Sequence, residues 1–329
     1  MSDPTSAGRS GQPPRLVALT GASGFIGRHL VAELARAGYR LRLLLRREPV
    51  MSQWQGSPPQ VVSGSLDDRA ALERLVEGAD AVVHLAGLIK AAKSSQFFSV
   101  NRDASAILAN LVKQSAPGAH FLLVSSLAAR EPSLSDYAAS KRGAEDAVLG
   151  TLGAQATVLR PPAVYGPGDP ETLRFFQLAQ QRRIPLLGRA DARIAMMHVQ
   201  DLSRLIRLQM ESNPGGQTLS AADGRPDGYR WDELMGAAAR AVGNTTPRFF
   251  DVPQSLLSGV ALLGDVARKM GSASMLSSQK LRELRHPDWS VRPQERALPA
   301  LWEPGFSLDS GFADAVRWYR SAGWLAQSG

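Results

Sequence analysis

Short apolar runs alternate with amphipathic stretches through the first half of the chain. Leu16 to Leu19, Leu41 to Leu45, Val61-Val62, Ala81 to Leu85, Phe121 to Val124 and Thr157 to Leu159 read as buried strands. Between them, apolar residues recur at helical spacing near 25–37, 67–77, 97–115, 136–150 and 171–181. That alternation predicts an α/β fold with a parallel sheet doubly wound between helices on both faces. From Pro161 onward the regular pattern fades, and Pro161, Pro162, Gly166, Pro167 and Gly168 crowd together. Residues 15–165 are therefore expected to form a Rossmann domain, with later strands and helices returning to it. Residues 166–329 should form a smaller, mostly helical substrate-binding lobe. Its helices are expected to open at Asp201 as an N-cap, to run over 231–242, and to run over 253–269.

The first strand passes into Thr20-Gly21-Ala22-Ser23-Gly24-Phe25-Ile26-Gly27, which opens the helical pattern Ile26, Leu30, Val31, Leu34. Strand, glycine turn and helix in that order build a phosphate cradle, because bare backbone N–H groups at a helix N-terminus attract an anion. Gly21 permits the tight turn, Gly24 admits a pyrophosphate, and Gly27 lets the helix lie close to its strand. Ser23, Phe25 and Ile26 complete the cradle, which predicts a bound dinucleotide. In such sheets ligands sit beyond the carboxyl ends of the strands, where Ala86 and Ser125 also emerge.

Composition removes several alternatives. The chain has 329 residues and is 44% hydrophobic, ordinary for a globular protein with a sizeable core. It has no cysteine, which excludes disulfides, thiolate metal sites and cysteine nucleophiles and is compatible with the cytoplasm, where we expect it. No His/Asp/Glu cluster has metal-ligand spacing, so no metal site is expected. The net charge of +8 is scattered, mostly as arginine, so no nucleic-acid partner is expected. Residues 1–14, rich in Ser, Gly and Pro, read as a disordered leader. No apolar run is long enough to span a bilayer.

Tyr137 and Lys141 stand four apart, on one helix face. An ammonium beside a phenol lowers the tyrosine pKa toward working pH, which makes the phenol a usable acid or base. Ser126, at the end of the Phe121 to Val124 strand, offers a hydroxyl to a substrate oxygen.

With these motifs the sequence resembles the extended short-chain dehydrogenase/reductases of the epimerase/dehydratase and 3β-hydroxysteroid dehydrogenase-like kind, over nearly everything after the leader. The matching segments are Thr20 to Gly27, Gly64 to Asp67, Val82 to Gly87, Val100-Asn101, Ser125-Ser126, Tyr137 to Lys141, Leu159 to Gly168 and His198 to Leu202. The resemblance implies Tyr137 as general acid/base, Lys141 on the nicotinamide ribose, Ser126 orienting the reacting oxygen, and Asn101 supporting Tyr137 and Lys141. It also implies cofactor contacts from Ser65, Leu66, Leu85, Ala86, Gly87, Ser125, Pro161, Pro162, Ala163 and Val164. Within it, His84 and His198 are packing or hydrogen-bonded residues. The helices carrying Asn101 and Tyr137 pack on a second subunit in the family, so a homodimer is expected. Ala104, Ile107, Leu108, Leu111 and Val112 supply an apolar stripe, and Ala138, Ala139, Gly143 and Ala144 permit close approach. The alternative is a monomer in which these residues pack only on the sheet.

At the end of the second strand, where an acidic residue would take a ribose hydroxyl, the chain has Arg46-Arg47. Guanidinium groups pair with a 2′-phosphate, which favours NADP over NAD. Ser65 replaces the aspartate the family usually places near adenine. Ala163 replaces an asparagine common in sugar-nucleotide relatives, which argues against a nucleotide sugar. Arg193 could meet an anionic substrate, although a solvated arginine is the ordinary reading. The run Leu256 to Leu263 reads first as a buried core helix, then as a pocket lining or a peripheral contact with a membrane.

The leading expectation is an NADP-dependent oxidoreductase moving hydride between nicotinamide and a small-molecule alcohol or ketone of moderate hydrophobicity. A sugar-nucleotide epimerase or dehydratase, and a non-catalytic dinucleotide-binding subunit, stay open beside it.

Overall fold

The computed structural model describes residues 15–47, 58–212, 215–269, 277–296 and 302–326; the 1–14 leader expectation lies outside them. In chain order the first half gives β1 (Leu16–Thr20), α1 (Phe25–Arg36), β2 (Arg40–Leu45), β3 (Gln60–Ser63), α2 (Arg69–Val76) and β4 (Ala81–His84). A short α3 (Ser94–Phe97) runs through a π-helical segment, Phe98–Asp103, into α4 (Ala104–Ser115). Then come β5 (His120–Val124), α5 (Asp136–Leu152) and β6 (Ala156–Leu159). These strands and β11 (Gln217–Leu219) form one parallel seven-stranded sheet in the order β11-β6-β5-β4-β1-β2-β3. The order reverses between β1 and β4, which opens the crevice where doubly wound sheets take ligands.

The period-2 pattern of the strands decides which helices cover which face. Val17, Leu19, Val83, Leu122 and Val124 face α1 and α7 (Val199–Ser212), packing with Leu30, Leu34, Leu202 and Ile206. The alternate residues Ala18, Val82, Phe121 and Leu123 face α2, α4 and α5, meeting Leu72, Leu75, Leu108 and Val148. Both faces are covered at the centre of the sheet, so β1, β4 and β5 are buried along their whole length. In the α4 stripe, Ala104, Leu108, Leu111 and Val112 are buried within this chain and Ile107 is exposed. Gly143 serves α5 in the same way: a Cβ there would lie 3.1 Å from Arg102 Cδ. Close approach of α5 to the π-helical segment thus gives Gly143 a role inside a single chain.

The second half adds β7 (Ala163–Tyr165), α6 (Pro170–Ala179), β8 (Arg183–Leu186), β9 (Arg193–Ile194), β10 (Met196–His198), α8 (Trp231–Val242), β12 (Arg248–Asp251), α9 (Gln254–Lys269), α10 (Ser278–Leu284), β13 (Asp288–Trp289) and α11 (Leu308–Ser321). Helices α6, α8 and α11 share their own core, in which Phe176 and Phe312 meet edge-on at 5.1 Å with Leu234 and Tyr319 around them.

Two sequence expectations are corrected here. Helix α7 starts at Val199, directly from β10, so Asp201 lies inside its first turn and does not cap it. Its buried carboxylate instead accepts the backbone N–H groups of Gly305 at 2.9 Å and Phe306 at 3.1 Å, tying the segment before α11 to the sheet side. The run expected first as a buried core helix is α9, and only one side of it is covered. Leu257 and Ala261 pack against Leu281 of α10, while Leu256, Val260, Leu262 and Leu263 are exposed. The apolar periodicity of α9 exceeds what one neighbouring helix can bury.

Candidate active site

The glycine turn closes β1 against the crevice. Gly21 has φ +76°, and a Cβ there would sit 2.6 Å from Ala86 N, so both conformation and space require glycine. A Cβ on Gly27 would lie 2.1 Å from Gly21 O, which no side chain tolerates. Helix α1 starts at Gly24 with no side-chain cap and no acidic residue in its first turn. Its first amides are left facing the crevice without a carboxylate to satisfy them, and this fits a diphosphate. The same cradle brings Ser23, Phe25 and Ile26 together at the head of α1. Among the described residues no group of three or more His, Asp or Glu is arranged to hold a metal.

Across the crevice, the loop after β4 carries Leu85, Ala86 and Gly87. Ala86 N donates to Thr20 Oγ1 at 3.3 Å, and Leu88 is held at both polar atoms by Asn101: Leu88 N donates to Asn101 Oδ1 at 2.7 Å and Asn101 Nδ2 donates to Leu88 O at 3.0 Å. Asn101 Nδ2 also reaches Ser140 Oγ at 2.9 Å, and Ser140 Oγ donates to Tyr137 O at 2.8 Å. Asn101 thereby ties the loop to the turn of α5 that bears Tyr137. It sits in the π-helical segment, a distortion that often marks functional positions because it re-aims one side chain.

Ser126 follows β5, and its hydroxyl accepts from Ala128 N at 3.2 Å and hydrogen-bonds the Tyr137 phenol. Burial pushes the Tyr137 pKa up to about 12, against the pull of Ser126, and the Glu283 carboxylate adds to the rise. The expected lowering by Lys141 is not what this geometry provides. Lys141 is buried, and its Nζ donates to Val124 O at 2.8 Å. Burial draws its own pKa down to about 8, with Glu145 pulling the other way. The phenol is thus held protonated at neutral pH.

Beneath these groups lies a buried network. Arg160 grips Glu145 with two bonds, Nε at 2.9 Å and Nη2 at 2.6 Å, and Ser125 Oγ donates to Glu145 at 2.5 Å. Arg160 also reaches Glu295 at 3.3 Å. Tyr137, Lys141 and Glu145 are spaced four apart, a signal in the sequence that was there to read. His84, also buried, bonds Thr20 Oγ1 through Nδ1 at 2.6 Å and Ser105 through Nε2 at 3.0 Å, which fixes it as a bridge between β1, β4 and α4. His198 stacks on Phe306 at 3.8 Å, within the packing of the lobe.

Other predicted residues lie at the margins. Arg46 and Arg47 are exposed just past β2, with no ion pair among the described residues. Ser65 donates to the Asp67 carboxylate, which this bond holds below its usual range, and Leu66 packs toward α2. Arg193 faces Glu233 at 3.9 Å and does not line the cavity.

Tyr137, Ser126, Pro162 and Ala163 open into a cavity of about 580 Å³. Its far walls are Phe97, Phe175, Met196, Trp231, Leu234, Trp289 and Phe312, and its polar lining is Ser135, Ser277, Gln279, Lys280 and Glu283 together with Thr172 and the Lys90–Glu171 ion pair. Ser135 donates to Glu283, whose other oxygen takes Lys280 Nζ at 3.0 Å. These wall residues come from separate elements, so no local pattern announced them, and α10 had no strong periodicity.

Comparison with known proteins agrees with this arrangement. The family model for the NAD dependent epimerase/dehydratase family matches residues 17–222. Ceramide reductase of Caulobacter vibrioides is 44% identical over 317 residues, covering 95% of this chain and 97% of that protein. Sterol-4-alpha-carboxylate 3-dehydrogenase, decarboxylating, of Dictyostelium discoideum is 28% identical over 242 residues, 65% of this chain and 73% of that one. The structure of dTDP-glucose 4,6-dehydratase from Bacillus anthracis in complex with NAD superposes with a TM-score of 0.69 at 17% identity, covering 93% of this chain and 97% of that one, a likeness of fold. The chain belongs to the NAD-dependent epimerase/dehydratase family and is an NAD(P)-dependent oxidoreductase in its chemistry.

Proposed function

We propose that the chain is an NADP-dependent ketoreductase whose substrate is a ketone on the backbone of a long-chain lipid amide of the ceramide type. The observation that carries this reading is the cavity. Ser126 and Tyr137 meet at one end, aromatic and aliphatic walls fill most of the rest, and a short polar strip lies beside them. A nucleotide sugar needs partners for many hydroxyls and two phosphates, and these walls supply few. An acyl chain needs only apolar surface. The similarity to a ceramide reductase points the same way.

The reduced nicotinamide supplies the hydride that the carbonyl carbon accepts. Ser126 donates a hydrogen bond to the carbonyl oxygen and orients it. Tyr137 passes its phenolic proton to that oxygen as the C=O bond becomes CH–OH, and the proton is later recovered from solvent. A pKa held near 12 keeps the phenol in the donor form this direction requires. Lys141, when its ammonium turns from Val124 O, stabilises the phenolate left behind. Arg46 and Arg47, past the carboxyl end of β2, would pair with the 2′-phosphate of NADP.

The test is oxidation of NADPH, followed optically, with three substrates offered to purified protein: an N-acylated long-chain amino ketone, a short water-soluble ketone and a nucleotide sugar. Turnover of the first, with formation of the secondary alcohol, is expected. Turnover of the nucleotide sugar alone would overturn the reading.

A further inference from the structure

We propose that the outer face of α9, with the adjoining β8–β12 ribbon, docks on the surface of a lipid bilayer bearing anionic headgroups and sets the α10 wall of the cavity beside that bilayer. Leu256, Val260 and Leu263 fall at i, i+4 and i+7 on one helix face, with exposures of 59%, 47% and 72%; Leu262 flanks them at 63%. Phe249 and Phe250 of β12, just ahead of α9, are exposed as well. Apolar side chains gathered on one helix and its approach strand are costly to leave in water.

The charges around this patch select the occupant. The one carboxylate in α9, Asp265, is drawn inward, where it accepts Ser278 N at 3.2 Å at the start of α10. Arg183 and Arg248 stand directly opposite each other in the parallel register of β8 and β12, with Arg182 beside them. None of the three has an ion pair among the described residues, and the one carboxylate of the ribbon, Asp251, stands at the opposite end of β12 from Arg248. Like charges across a strand pair are unfavourable until an anion lies over them. An apolar helical stripe beside unpaired arginines is the arrangement that inserts among acyl chains while its cations meet phosphate.

The patch is also continuous with the cavity. Leu257 and Ala261, on the inner side of α9, pack against Leu281, with Leu284 against the same cluster. Leu284 and Lys280 line the cavity on the other side of α10. One helix thus separates the bilayer from the substrate, a short path for a lipid that leaves a membrane poorly. The purpose given to this docking rests on the lipid-substrate reading above, whereas its geometry does not.

Flotation of the full-length chain tests the proposal, using phosphatidylcholine vesicles with and without phosphatidylglycerol. The protein should float with the anionic vesicles and be released as salt screens the arginines. Leu262→Ser/Leu263→Ser should weaken binding at least about 10-fold by removing buried apolar surface. Arg183→Gln/Arg248→Gln should weaken binding about 10-fold and flatten the salt dependence. Both double variants should reduce a short water-soluble ketone at the wild-type rate. Wild-type protein that ignores anionic vesicles, or Leu262→Ser/Leu263→Ser binding as well as wild type, would overturn the docking. So would a fall in mass by light scattering on that double substitution, which would show that a second copy covers the patch. If the protein floats yet reduces no ketone, docking stands and the ketoreductase reading fails.

Discussion

Around Tyr137, polar groups are tied to partners on the sheet or on α5; across the cavity, Phe97, Phe175, Leu234 and Phe312 offer a substrate apolar surface alone. The first region sets a reaction by fixing where one proton and one oxygen sit. The second selects by shape and apolar area, which tolerates substitution and so adapts to substrates.

If the bonded floor around Tyr137 carries the chemistry, single-atom changes there should be severe. Tyr137→Phe removes only the phenolic oxygen and keeps the ring packed 6.2 Å from Phe97. Turnover should fall about 1,000-fold or more while cofactor affinity measured calorimetrically stays within a factor of about 2. A Phe variant retaining a tenth of the activity would sink the assignment of Tyr137 as the acid.

The floor should also be the less forgiving region in stability. Glu145→Ala strands the buried Arg160 guanidinium with only Glu295 and strips Ser125 of its acceptor, at a cost of about 3–5 kcal/mol in urea unfolding. Truncating an exposed apolar residue of α9 should change the midpoint far less. Equal losses would mean that the α9 face is covered within the chain.

The same contrast governs what the sequence discloses. The floor depends on short spacings, Gly21 to Gly27 and Tyr137 to Lys141, because a turn and one helix face are local objects, and these are visible in one dimension. Six of the seven sheet strands and the helices down to α8 follow from periodicity for the same reason, whereas β11, three residues long, shows no such pattern. The wall is assembled from α3, α6, β10, α8, α10, β13 and α11, and packing decides which of their residues face inward. Asp201 shows the limit within a single motif. Its helix-opening position is legible, but its partners, Gly305 and Phe306, lie about a hundred residues away, so its role in tying the C-terminal segment is not.

Cofactor selection sharpens the comparison from its outer edge, where Arg46 and Arg47 are exposed. Arg46→Asp/Arg47→Ala should weaken NADPH binding by about 2 kcal/mol and spare NADH, as calorimetric titration would show. Equal loss of both cofactors would mean that these arginines serve the surface.

The smallest effect separates the two regions by acid. His84 lies in the floor, buried between Thr20 and Ser105, and burial, with the nearby Lys141 charge, draws its pKa from 6.5 down to about 3. A depressed folded value means that the unfolded chain binds the proton first. The stability His84 contributes is therefore complete above pH 6.5 and is lost progressively as pH falls toward 3. At pH about 5.5 the loss is about 1 kcal/mol. Asp223, beside the lobe, acts in the opposite sense: burial raises its carboxyl to about 6, so its contribution grows as pH falls through that value. Burial also draws His198, in the lobe, down to about 4, so the total slope mixes several groups and a variant isolates His84. Glutamine at position 84 retains a donor and an acceptor for Thr20 and Ser105 without titrating. His84→Gln should lose less stability between pH 7 and about 5.5 than wild type does, by about 1 kcal/mol in urea midpoints. Parallel losses in the two proteins would place the acid sensitivity outside the floor.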